Sequence, residues 1–179
     1  MAFNPKQTAV VKHAGTGAAI VVATLFGSFY LPSRFLPDDQ TAPRIAWALQ
    51  WALLPMLTLM VSIMRVANYR FASAEDIDGS GLTVGSAQIN TLRAVLQNTL
   101  EQSVLALTAY AVVAVSFPHA WLCVIPAAAL LFVIGRICFA AGYASGAGGR
   151  ALGFGLTAYP TFGLLMAAAV VLLFRALGF

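Results

Sequence analysis

Long uncharged runs alternate with short polar stretches along this chain, and the lengths of the runs define its elements. A helix needs about 20 predominantly apolar residues to cross the hydrocarbon core of a bilayer. Residues 14–31 form the first such run, between Lys12 and His13 on one side and Pro32 and Arg34 on the other. Residues 45–64 form the second, with Trp47 and Trp51 near one end and Arg65 closing the other, as interfacial anchors would. The uncharged stretch 102–135 is too long for one span, and Phe117-Pro118-His119 divides it. Proline has no N–H to donate and biases the preceding residue away from helix, so 94–116 and 121–141 become two antiparallel helices joined by a short turn. Residues 151–174, closed by Arg175, make the fifth run. Pro55, Pro126 and Pro160 lie within these spans and are expected to bend them.

The first run also has the basic start and apolar centre of a secretory signal. However, the bulky Phe29-Tyr30-Leu31 end offers no small-residue cleavage site, which favours a retained helix. The longest polar loop is 71–89, carrying Glu75, Asp76, Asp78 and the run Gly79-Ser80-Gly81. Residues 142–155 read as a glycine-rich turn, in which Gly142, Gly146, Gly149 and Gly153 permit close helix packing or tight turning.

Composition agrees with the pattern. Across 179 residues, 60% are apolar and 9% charged, against about 25% charged in soluble domains, so a water-soluble fold is excluded. The expected fold class is an all-α integral membrane protein. The net charge of +4 does not point to nucleic acid, because most basic residues flank apolar runs. Five spans place Lys6, Lys12, Arg65, Arg70, Arg93, Arg136 and Arg150 on one face and Arg34, Arg44 and Arg175 on the other. The basic excess puts the N-terminus in the cytoplasm. Cys123 and Cys138, if on one helix, lie roughly 22 Å apart along its axis, beyond disulfide reach. Neither His13 nor His119 has a carboxylate at ligand spacing, so no metal site is expected.

A few charges are not explained as flanks. Glu101 falls inside a span, where an ionised side chain costs about 2.5 to 3.5 kcal/mol on insertion scales unless partnered. At 100° per residue Asn90, Arg93, Gln97 and Glu101 share an arc of about 80°, with Asn98 at its margin. Arg136 and Tyr143 are seven residues apart, almost two turns, and project from a common face. Arg150 follows seven residues later in the glycine-rich stretch. Such basic groups near one membrane face can gather around an anionic ligand. They can equally form an intramembrane ion-pair network, Glu101 with Arg136 or Arg93, that fixes helix register.

Asn98-Thr-Leu-Glu101 preceded by Arg93 and followed by Arg136, Tyr143 and Arg150 resembles the MAPEG family, the membrane-associated proteins in eicosanoid and glutathione metabolism. Arg70-Phe-Ala-Ser-Ala-Glu-Asp76 is similar to the loop after the first helix of its members. The resemblance covers roughly residues 44–179. It implies a four-helix transmembrane bundle assembled as a homotrimer, with glutathione as co-substrate between subunits near the cytoplasmic face. Residues 1–43 then form an additional N-terminal transmembrane helix and linker, and the setting implied is a bacterial inner membrane.

By matching position the resemblance assigns Asn98, Glu101, Arg136 and Tyr143, with Arg93, to glutathione binding, and Arg150 to stabilising the glutathione thiolate. The family usually carries arginine four residues before the motif asparagine, where this chain has Ala94 and places Arg93 one position earlier. The implied activity is that of a glutathione S-transferase or peroxidase acting on lipophilic electrophiles or lipid hydroperoxides that arrive through the membrane lipid. The alternatives are a non-catalytic lipid-binding or scaffold member and a membrane-complex subunit with structural buried ion pairs.

Overall fold

The computed structural model describes residues 3–79 and 81–178. Five long helices run up and down: α1 (Pro5–Ser28), α2 (Thr41–Ala72), α3 (Ala87–Ser116), α4 (Val124–Gly142) and α5 (Gly146–Ala176). Helices α1, α2 and α3, and the stretch His119–Ala176 that contains α4 and α5, are each long and apolar enough to cross a membrane. That last stretch folds back on itself through a 3-10 turn at Tyr143–Ser145. Gly146 at φ 82° then supplies the left-handed backbone that a residue with a Cβ would resist.

The division at Phe117-Pro118 is as expected: α3 stops at Ser116, Phe117 is extended, and Pro118 opens a 3-10 turn at His119–Cys123 leading into α4. Other boundaries differ because helices outlast apolar runs wherever a cap is present. Asn4 and Gln7 form a reciprocal capping box, so α1 begins at Pro5 rather than near Ala14. Ser86 accepts from the Ile89 N–H and starts α3 seven residues before Ala94. Arg65 does not close α2, which continues to Ala72 because Val66 is buried against Ile89 and Leu92 of α3. The glycine-rich stretch 142–155 is a turn for three residues only, and Gly146 onward is helix. Pro55 and Pro160 lie inside helices, whereas Pro126 falls in the first turn of α4, where its missing N–H leaves no intrahelical bond unmade.

The core is built from small residues. Ala48 and Ala52 of α2, Ala106, Ala109 and Ala114 of α3, and Ala128 and Ala129 of α4 surround buried Tyr110 and Phe132. Small side chains let helix axes approach closely, which matters in lipid because the bilayer is as apolar as leucine and gives little reward for burying it. Larger side chains such as Leu49, Leu53, Leu57, Met60 and Met64 stay on the exposed face of α2. Helix α1 runs parallel to α5, with Ala9 against Gly148 and Gly17 against Leu152 and Gly155. The His13 Nδ1–H donates to the Gly148 carbonyl at 2.7 Å.

The polar loop does more than solvate. Asp76 is buried, and its carboxylate accepts from the Ser86 N–H at 2.9 Å, the Ser86 hydroxyl at 2.7 Å and the Ser73 hydroxyl at 3.1 Å. It ties the end of α2 to the start of α3. The Ser86 backbone N–H, then the Ser86 and Ser73 hydroxyls and the Arg70 charge, hold the carboxyl below its ordinary 3.8 against an opposing effect of burial.

A candidate anion site at one end of the bundle

The α4–α5 hairpin positions the basic residues. Glycines line its seam: a Cβ on Gly142 would overlap the Gly149 carbonyl, and one on Gly135 would lie 2.7 Å from Thr157 Cγ2 and 2.9 Å from the Gly153 carbonyl. The two helices therefore meet backbone to backbone. Their large side chains are displaced to either side, and those of Arg136, Phe139, Tyr143 and Arg150 form a column. The Arg136 guanidinium carbon is 4.3 Å from the Phe139 ring centre, Phe139 and Tyr143 meet edge to face at 5.4 Å, and the Arg150 guanidinium carbon is 4.7 Å from the Tyr143 ring centre. Each guanidinium is within cation–π range of a ring face, worth about 0.5 to 2 kcal/mol depending on desolvation.

Arg136 is 5% exposed. Its Nη1 donates to Asn98 Oδ1 at 2.9 Å and reaches Thr99 Oγ1 at 3.5 Å. Its Nε and Nη2 find no hydrogen-bond partner among the described residues. A buried guanidinium left in this state is costly, and an anion supplied from outside relieves it. Arg136 also lines a cavity of about 390 Å³ between α2 and α4, together with Arg65, Thr58, Ser62, Leu57 and Ile137. The size suits a small-molecule site.

Arg150 faces a second cleft of about 360 Å³, walled by Phe139, Phe154 and Tyr159 and by Val10 and Ala14 of α1. It lies in the first two turns of α5, a helix with no side-chain cap and no acidic residue in its first turn. Helix dipole and guanidinium thus share one sign there, and both favour an anion.

The structure joins Asn98 to Arg136 and Tyr143 to Arg150, but not the whole predicted set. Arg93 donates to Asn90 Oδ1 at 3.4 Å and borders the 73–86 loop beside Asp76, Gly79 and Thr83. Glu101 is exposed, and among the described residues its hydrogen-bond partner is Gln97, whose Nε2 donates to it at 2.9 Å. Among the described residues the only ion pair is Arg44 with Asp39, so the chain contains neither the Glu101–Arg136 nor the Glu101–Arg93 pair. Arg65 was read from sequence as a membrane flank, but the fold makes it a wall of the α2–α4 cavity. Its signal was present: Thr58, Ser62 and Arg65, spaced four and three apart, mark one polar face on an apolar helix.

These features define an all-helical integral membrane protein with arginines gathered around two clefts at one end. A model of the MAPEG family matches residues 45–170, and the chain belongs to that family. The match begins after α1. Membership places the protein among membrane proteins generally associated with glutathione. No curated protein matches the chain.

Proposed function

We propose that this protein is a glutathione-dependent transferase or peroxidase acting on lipophilic electrophiles or lipid hydroperoxides. The observation that carries the reading is the column ending in Arg136, buried with two unpartnered nitrogens, and Arg150, whose guanidinium meets no carboxylate among the described residues. Glutathione has the matching chemistry, two carboxylates and a thiol that is useful only as its anion. Arg136 with Asn98, and Arg65 across the α2–α4 cavity, would receive the peptide's carboxylates. Arg150, on its Tyr143 platform, would stabilise the thiolate.

A thiol of ordinary pKa, about 8.5, is mostly protonated at neutral pH, and a guanidinium beside it favours the nucleophilic form. In conjugation to an enal, the sulfur bonds to the β-carbon, the π electrons move toward the carbonyl oxygen, and the α-carbon takes a proton from solvent. The exposed Gln97–Glu101 pair, facing away from its own bundle, supports a homotrimer in which a neighbouring subunit completes the site. On this reading residues 1–43 are an addition to a four-helix domain 44–179. The arginine-rich end and the N-terminus face the cytoplasm of a bacterial inner membrane.

Calorimetric titration of glutathione into the detergent-purified protein, paired with a thiol-conjugation assay, tests the proposal. Wild type should bind and turn over. Arg150→Ala should keep binding within about tenfold and lose about two to three orders of magnitude in kcat/KM, the scale of one removed transition-state charge contact. Absence of glutathione binding by wild type overturns the reading and favours a lipid-binding scaffold or structural subunit.

A further inference from the structure

The cleft that Arg150 faces is built in part by a helix outside the family match. Helix α1 reaches it because its small residues lie against the glycines of α5: Ala9 at Gly148 and Gly17 beside Leu152 and Gly155, with His13 tied to the Gly148 carbonyl. Where the two helices part, Val10 and Ala14 face Phe139, Phe154 and Tyr159 across about 360 Å³. The walls are apolar along their length, and one end carries Arg150. Charge at that end is of one sign, since α1 contains Lys6 and Lys12 and no acidic residue, and the start of α5 adds the positive pole of a helix with no side-chain cap. The result is an apolar slot, open on one side, with a cationic end, at the small end of the range for ligand sites. Its chemical complement is one unbranched chain with an electron-rich head; two chains and a phosphodiester head would exceed it.

We infer that α1 supplies one wall of an acyl-chain site, in which Val10, Ala14, Phe154 and Tyr159 set the chain length of a single-chain lipid whose polar end sits at Arg150. This rests on the proposed function for its chemistry, because it makes the slot the place where the lipophilic substrate lies. It does not need glutathione for binding.

Two variants act in opposite directions: Ala14→Leu narrows the slot and Phe154→Ala lengthens it. The full chain in phosphatidylcholine nanodiscs, without glutathione, is titrated with a fluorescent fatty acid that is displaced by saturated acids of increasing length. The same proteins, with glutathione, are assayed on alk-2-enals from hexenal to tetradecenal. The preferred length should shorten in Ala14→Leu and lengthen in Phe154→Ala, with selectivity between chain lengths changing about tenfold. Opposite shifts cannot come from loss of fold.

Unchanged length preference in both variants overturns the inference, as does failure of any free acid to bind against the nanodisc phospholipid. Length-dependent acid binding without conjugation by wild type upholds the acyl-chain site and removes the proposed enzyme activity. Conjugation with one length profile in all three proteins does the reverse.

Discussion

The two ends of the bundle treat their cations differently. At the end holding residues 29–40 and 117–123, the chain itself supplies acceptors, although Arg44 Nε is buried without a partner among the described residues. Arg44 donates to the Phe117 carbonyl and pairs with Asp39 at 3.2 Å, and Arg175 donates to the Ser116 carbonyl at 2.6 Å. The His119 Nε2–H donates to the Pro37 carbonyl at 2.7 Å. Ser116 and Phe117 are where α3 ends, and the last carbonyls of a helix lack intrahelical partners and carry its negative pole. Two arginines from α2 and α5 therefore cap α3. At the opposite end, among the described residues, Arg136 keeps two nitrogens unpartnered, Arg150 has an aromatic platform and no acid, and Arg65 borders an open cavity. One end draws acceptors from the chain's own helix terminus and loop, while the other leaves a buried guanidinium with two nitrogens unpartnered among the described residues.

The largest effect is expected from disturbing the seam that aims the open end. Gly142→Val would drive a branched side chain into the Gly149 carbonyl, separating Tyr143 from Arg150 and overpacking a contact between two backbones. A loss of about 3 kcal/mol in unfolding from mixed micelles, with loss of glutathione binding, is the expected result. Wild-type stability in this variant would mean that the seam is not close-packed.

A matched pair of substitutions sharpens the comparison next. Arg44→Met strips the Phe117 carbonyl and Asp39 of their partner and should destabilise by about 1 to 3 kcal/mol. Arg136→Met replaces an incompletely satisfied buried charge with an apolar chain. It should leave stability within about 1 kcal/mol of wild type or raise it, while glutathione affinity falls about 10- to 100-fold. If Arg136→Met is the more destabilising of the two, the open end is a structural ion site instead.

Removing the platform is a smaller change. Tyr143→Leu withdraws the ring beneath Arg150, and conjugation should drop by about fivefold to thirtyfold, consistent with one cation–π contact in a partly desolvated site. Tyr143→Phe should retain most activity, and an equal loss in both variants would assign the role to the hydroxyl.

The smallest effect concerns the loop clasp. Asp76 has a lowered pKa, so the stability that it contributes is present above the ordinary carboxylate value of 3.8 and is lost as pH falls through the lower folded value. Protection of the 73–86 loop in hydrogen exchange should therefore decline only at acid pH in wild type. It should be weak at every pH in Asp76→Asn, and a flat wild-type profile would contradict the clasp.

Much of the fold was legible because lipid imposes a simple rule, that every spanning backbone must satisfy itself as helix. The five spans and the break at Pro118 followed from run length and proline chemistry. Helix ends did not, since Asn4 with Gln7, and Ser86, extend helices past the apolar runs by local hydrogen bonds that hydropathy does not register. The polar arc of α3 was also legible, but its partners were not. Asn98, marginal on that arc, reaches Arg136, while Glu101 faces outward. Asp76 looked like one more solvating acid in a polar loop until the fold closed Ser73 and Ser86 around it.

By itself the sequence determined that this protein lives in a membrane, crosses it as helices, and carries more charge at one face than spanning requires. Those properties depend on composition and on spacing along one chain. Tertiary structure alone decided which charges are satisfied. That Arg44 and Arg175 cap α3, that Arg136, Phe139, Tyr143 and Arg150 form a column, and that α1 walls the Arg150 cleft all depend on which helix lies beside which. Those neighbours were chosen by small residues that let backbones touch, so each charge acquired its role from contacts remote in sequence.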